Sequence, residues 1–154
     1  MKKIILVLGL LITLVAGSVY AAGTVTESYG YIGGNVYSLT LTWISATDGS
    51  LTAHTTSTTI KGFVFLATTN PDTTAGGDGP SDNYDITVTN SDGIDIFGGS
   101  LANRDSTASE YAIPLFTTGV YYTPISTGVL TFTLTNNSVN SAKGKLVLYW
   151  EGQN

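Results

Sequence analysis

No cysteine occurs anywhere in the sequence. A disulfide framework is therefore excluded, and so is an N-terminal lipid anchor of the kind that needs a cysteine at the cut. Charge is scarce as well: Asp, Glu, Lys and Arg make up 11% of the chain, where about a quarter is usual in soluble domains. Thr, Ser, Gly and Asn fill the places that charges would take. Uncharged polar faces pack against another protein at lower desolvation cost, although Thr also suits strands for purely local reasons. Cations are the scarcest charges, with Lys61, Arg104, Lys143 and Lys145 the only ones beyond residue 21. That leaves no basic stripe to neutralise phosphates, so nucleic acid and anionic headgroups are poor partners. Helical periodicity is absent after the first 22 residues, as are internal repeats and domain linkers.

What the N-terminus does have is Lys2 and Lys3, then an apolar stretch from Ile4 to Ala16, then small residues ending at Ala21 and Ala22. This order predicts a signal peptide over residues 1–21, cut after Ala21, and an exported domain over residues 22–154. The alternative is a retained membrane anchor over residues 4–22, because at about 1.5 Å per helical residue that stretch approaches the roughly 30 Å of a bilayer core. Membrane contact is expected only in that case. Cleavage removes two cations and no acid, taking the net charge from −5 to −7. The remaining chain suffices for one domain that buries roughly two-thirds of its unfolded surface. Without disulfides its stability must come from core packing, protected sheet edges or subunit contacts.

Period-two alternation recurs throughout that domain. Tyr37, Leu39, Leu41 and Trp43 share one face of Val36 to Ser45, with Ser38, Thr40 and Thr42 on the other. Tyr84, Ile86 and Val88 alternate with Asp85, Thr87 and Thr89, and Leu130, Phe132 and Leu134 with Thr131, Thr133 and Thr135. Gly144, Leu146, Leu148 and Trp150 mark the inward side of the last strand. Ile60 to Leu66 is almost wholly apolar and reads as a central strand covered on both sides. Turn signals separate these runs: Asp48-Gly49, Asn90 to Gly93, Gly98-Gly99, Gly119, Gly128 and Asn136 to Ser138. The pattern predicts an all-β fold, an antiparallel β-sandwich of jelly-roll or Greek-key type with about eight strands. Two long loops, Thr69 to Asp82 and Gly98 to Ser109, are read as contact surfaces.

Candidate chemistry is thin. Asp72, Asp78, Asp82, Asp85, Asp92 and Asp95 raise the question of a calcium site, but their spacing fits no EF-hand, and Asp or Asn before Gly favours tight turns on local grounds. His54 stands alone, with no motif placing a carboxylate beside it, and reads as an exposed strand residue. Glu27, Glu110 and Glu151 are the only glutamates, and nothing sets two carboxylates at the separation glycoside hydrolysis requires. Tyr111, Tyr121, Tyr122, Tyr149 and Trp150 invite a sugar-stacking reading, against which stands their ordinary place in strands and interfaces. Arg104 reads as a loop-fixing hydrogen-bond donor. No catalytic, cofactor or metal site is assigned on these residues.

One stretch is specific enough to carry a resemblance: Asp82-Asn83-Tyr84-Asp85-Ile86-Thr87-Val88-Thr89-Asn90-Ser91-Asp92-Gly93-Ile94-Asp95-Ile96, followed by Leu101-Ala102-Asn103-Arg104-Asp105-Ser106-Thr107. It resembles small, uncharacterised virion-associated β-sandwich proteins encoded among bacteriophage and prophage structural genes, here with an added signal-like segment. The resemblance implies a virion-associated subunit with no known activity and no functional residues to transfer. The functional expectation is a non-enzymatic structural or assembly subunit of a virion or extracellular filament. Its partners would be itself or other structural subunits. A secreted carbohydrate-binding or adhesive module is the alternative. The arm from Gly23 to Gly30 is read either as a strand donated to a neighbouring subunit or as the first strand of its own sandwich.

Overall fold

A computed structural model describes residues 22–73, 78–117 and 119–153. The N-terminal segment read as signal peptide or anchor lies outside the described residues, as do residues 74–77 of the first long loop. Among the described residues no helix forms, and none is therefore long and apolar enough to cross a membrane. The strands are β1 (Thr24–Gly33), β2 (Val36–Ile44), β3 (His54–Thr55), β4 (Ile60–Pro71), β5 (Asp85–Thr89) and β6 (Glu110–Ala112). They continue with β7 (Leu115–Thr117), β8 (Val120–Tyr121), β9 (Ile125–Gly128), β10 (Thr131–Thr135) and β11 (Lys143–Gly152).

All pairings are antiparallel. The larger sheet runs β1-β2-β11-β4, and the far side of β4 is shared between β9, which pairs Ile60 to Phe63, and β6, which pairs Ala67 to Thr69. The smaller sheet is β3-β10-β5, and β7-β8 is a separate ribbon. The sheets curl into a half-barrel. Among the described residues eleven strands replace the expected eight because four of the elements, β3 and β6 to β8, span only two or three residues. Such lengths are too short for alternation to register.

The alternation of the long strands decides which face is buried. Leu39, Leu41 and Trp43 of β2 and Leu146, Leu148 and Trp150 of β11 meet Ile86 and Val88 of β5 and Phe132 and Leu134 of β10 in one hydrophobic cluster. Trp43 packs across the two sheets against Tyr84, ring centroids 6.1 Å apart, and Trp150 stacks on Tyr37 at 5.6 Å. Each such large side chain contributes roughly 1.5–3 kcal/mol through the surface it removes from water. Gly144 is required for this packing: a Cβ there would lie 2.5 Å from Cζ2 of Trp43.

β4 departs from the reading of a strand covered on both sides. It is central, but its outward residues Phe63, Phe65 and Leu66 are only half buried. A register shift against Tyr149 and Trp150 of β11 leaves Phe65 as an extra residue. The inward set is Ile60, Gly62 and Val64 before the bulge and Ala67, Thr69 and Pro71 after it. A run that changes phase must be apolar at both parities, which is why Phe63 to Ala67 looked continuous. The strand also reaches into the stretch expected to be loop. Thr69 to Pro71 are paired with Gly144 to Leu146 of β11, and Pro71 is accommodated as the terminal residue.

The second expected loop, Gly98 to Ser109, is an edge cover. Leu101 is fully buried, its carbonyl accepts the Ile86 amide at 3.0 Å, and the Arg104 amide donates to the Tyr84 carbonyl at 2.8 Å. The motif that carries the phage resemblance is thus β5 and the segment that covers it.

β1 settles how the N-terminal arm is used in this chain. Thr24 to Tyr31 pair in unbroken register with Tyr37 to Ile44 of β2, so the arm is the first strand of its own sheet. The connecting turn places Gly34 and Asn35 at φ of 56° and 67°, a twist that suits a two-residue hairpin.

Candidate functional site

The lone histidine is not alone in space. Strand β1 lays Glu27 over the end of β3, where Glu27 Oε1 lies 2.6 Å from His54 Nε2 and accepts the Ser57 amide at 2.9 Å. Its other oxygen accepts the hydroxyls of Ser57 and Tyr29, both at 2.6 Å. The absence of a carboxylate partner inferred for His54 from sequence is therefore corrected: twenty-seven residues of separation hid a contact made by folding. Only 10% of the Glu27 side chain is exposed. Burial pushes its pKa up, but the hydrogen bonds from Ser57, Tyr29 and His54 outweigh that and bring it down to about 2. Tyr29 shifts upward, through its own burial and its bond to this carboxylate.

Serine, histidine and glutamate together raise the question of a nucleophile. The order of contacts answers it. In a catalytic triad the imidazole stands between hydroxyl and acid so that it can take the hydroxyl proton. Here the carboxylate stands between the other two, and Ser57 Oγ donates directly to Glu27. The cluster ties the edge strand of one sheet to the first strand of the other.

The remaining acids are likewise directed to separate tasks. Asp48 holds the Ser50 amide and hydroxyl, and Asp95 holds the Phe97 and Gly99 amides. Asp85 holds the Asn103 amide and the Asn136 side chain. Asp105 holds the Thr107 amide and hydroxyl and the Ala108 amide, and those bonds lower its pKa. Asp78 pairs with Lys143 at 2.5 Å, and Asp82 accepts from the side chain of its neighbour Asn83, at 3.4 Å. Asp92 sits in a turn whose amides at 92 and 94 bond the Asn90 side chain. Among the described residues no three His, Cys, Asp or Glu groups converge as a metal site would need. Arg104 fixes its loop: Nε and Nη2 both donate to the Ala102 carbonyl, and Nη1 lies 3.6 Å from Glu110. Glu110 in turn accepts the Asp105 amide at 2.8 Å.

Of the five aromatics considered together from sequence, the fold turns Trp150 and Tyr122 inward and leaves Tyr111 beside Tyr121 and Tyr149. Trp150 is in the core. Tyr122 turns inward, its hydroxyl donating to the Ile96 carbonyl at 3.3 Å and its ring meeting Phe116 edge-on at 6.0 Å. Tyr111 is 76% exposed and lines two shallow grooves. One, of about 390 Å³, is shared with Tyr121, Ser100, Asn103 and Arg104; the other, of about 620 Å³, is shared with Tyr149, Leu66 and Val147.

Around Tyr111 runs a strip of which the sequence reading named only Tyr111 and Tyr121. Ile113, Phe116, Val120, Tyr121 and Ile125 are all exposed, on and between β6, β7, β8 and β9. Phe116 equals Tyr111 in exposure, at 76%. The available signal was charge: between Glu110 and Lys143 the sequence has no charged side chain at all.

No protein-family model matches the chain, and no curated protein matches it in sequence. Among solved structures, the capsid asymmetric unit of cyanophage Pam1 aligns over 86% of this chain and 87% of that one, at 20% identity and a TM-score of 0.42. That degree of similarity transfers neither strand order nor role. The chain's own surface therefore carries the functional argument, and its distinguishing part is the charge-free strip beside Tyr111.

Proposed function

We propose that the protein is a non-enzymatic structural or assembly subunit of a virion or extracellular filament, making subunit contacts through the strip from Tyr111 to Ile125. The observation that carries this reading is the clustering of six exposed large apolar side chains within fifteen consecutive residues that contain no charge. Concentrated exposed apolar surface marks contact sites, and Tyr and Phe supply large rigid area at low entropic cost. The chain is otherwise acidic, so a neutral strip is where a neighbouring subunit meets least repulsion and least desolvation cost. The use of Glu27, Glu110, Asp85, Asp95 and Asp105 as loop and strand fasteners supports a scaffold role. The phage-structural resemblance of Asp82 to Thr107 supports a virion as the setting.

Particle mass by light scattering tests the reading. The native protein should assemble, and Tyr111→Ser with Phe116→Ser should reduce assembly while the melting temperature stays unchanged. A native protein that is monomeric at high concentration refutes it. A second reading rests on the groove between Tyr111 and Tyr121, where the buried Ser100 hydroxyl has no hydrogen-bond partner among the described residues. A sugar ring stacked on tyrosine would supply one. Binding on a glycan array that Tyr121→Ala abolishes would favour that adhesive role.

A further inference from the structure

We propose that β1 is a homotypic strand-addition site, where two copies of the chain join their larger sheets edge to edge about a two-fold axis at Ser28. This rests on the assembly reading above and names a second contact within it. The far side of β4 is covered by β6 and β9, and the outer side of β5 by the segment around Leu101. The far side of β1 receives no main-chain hydrogen bond from any other segment among the described residues. It is a long open edge, and its amides and carbonyls are ready for another strand.

Native edges of this length are normally guarded by lysine, proline, a central bulge or an inward charge. β1 has no lysine or proline, and its irregularity is confined to the end, between Tyr31 and Gly33. It does have an inward charge, Glu27. Such a charge guards an edge when an added strand would strip it of water. Glu27 is already 10% exposed and held by three side chains and an amide, so addition removes little more.

The occupant is a second copy because the strand is complementary to itself. In an antiparallel pairing centred on Ser28, Val25 faces the second copy's Tyr31, a β-branched and aromatic pair. Thr26 faces Gly30 and Ser28 faces Ser28. Glu27 faces the second copy's Tyr29, the same kind of donor as the Tyr29 hydroxyl it accepts within its own strand. The two glutamates are kept apart, and every residue used lies within the regular stretch from Thr24 to Tyr31. Tyr29, Tyr31 and Ile32 are exposed, a second concentration of large apolar side chains outside the Tyr111 strip.

The absence of cysteine makes a clean test available. Opposed residues of an antiparallel pair have Cα atoms about 4.5–5.5 Å apart, within disulfide range. The full chain carrying Ser28→Cys should form a covalent dimer under mild oxidation, and Thr135→Cys, exposed on β10, should not. Ser28→Lys places two lysines at the axis and should lower particle mass while the melting temperature is unchanged. If the native protein assembles yet Ser28→Cys stays uncrosslinked and Ser28→Lys keeps the native particle mass, the edge proposal is overturned and the assembly reading stands. If the native protein is monomeric and Ser28→Cys does not cross-link, both fall.

Discussion

Replacing Glu27 by Gln removes a charge while keeping the shape of the side chain. The Glu27 carboxyl is at about 2 in the folded chain against an ordinary 4.5. A difference of that size corresponds to roughly 3 kcal/mol of folding stability at neutral pH. Several of the donors lie at the surface, where water competes, so about 2 kcal/mol is the working figure. The sign follows from the downward shift. The contribution is fully present above pH 4.5, declines as the pH falls toward 2, and is gone below both values. Glu27→Gln should therefore lose about 2 kcal/mol at pH 7, near 1 M in urea midpoint for a domain of this size, and less than half of that near pH 3. Urea titrations followed by the fluorescence of Trp43 and Trp150, both buried, provide the measurement. A gap between native and variant that is the same at pH 7 and pH 3, or no gap at pH 7, would refute the argument that charged hydrogen bonds at Glu27 hold β1 to the opposite sheet.

Gly144→Ala should destabilise by about 1–3 kcal/mol, because its Cβ drives into the fully buried Trp43 indole; an unchanged urea midpoint would show that the ring has room to move. Trp43→Ala should cost about 3–5 kcal/mol by opening a cavity between the sheets, and a variant as stable as the native protein would contradict the packing against Tyr84. Intact mass of the natural protein should begin at Ala22; a mass that retains residues 1–21 would replace the signal-peptide reading with the anchor.

Where a strand buries one face along its whole length, the sequence was sufficient. Leu39, Leu41 and Trp43, or Phe132 and Leu134, declare their side by parity alone, and the burial follows it. β6, β7 and β8 could not be read this way, since each spans only two or three residues and most of those are exposed. The end of β4 was obscured by Asn70-Pro71, a pair that signals a loop unless a strand terminates there. Glu27 and His54 share no local pattern; their contact exists only once β1 has crossed above β3. The Tyr111 strip was visible in principle as an uncharged run, but a run of that kind also describes an ordinary buried strand. Exposure, which the chain alone does not display, separates the two.

The central position of β11 has a consequence for timing. The strand that joins the β1-β2 hairpin to β4 is made of residues 143–152, the last of the described strands to leave the ribosome. Until then the hairpin has only its own pairing, and an isolated hairpin is marginal in water. Most of the large sheet must therefore close only once residues 143–152 have emerged, across wide sequence separations that make folding slow. A chain carrying an export segment of the kind read at residues 1–21 would gain from that delay, staying threadable through a membrane channel. The same arrangement makes residues 143–152 indispensable, because a chain cut before Lys143 retains two half-sheets with nothing between them.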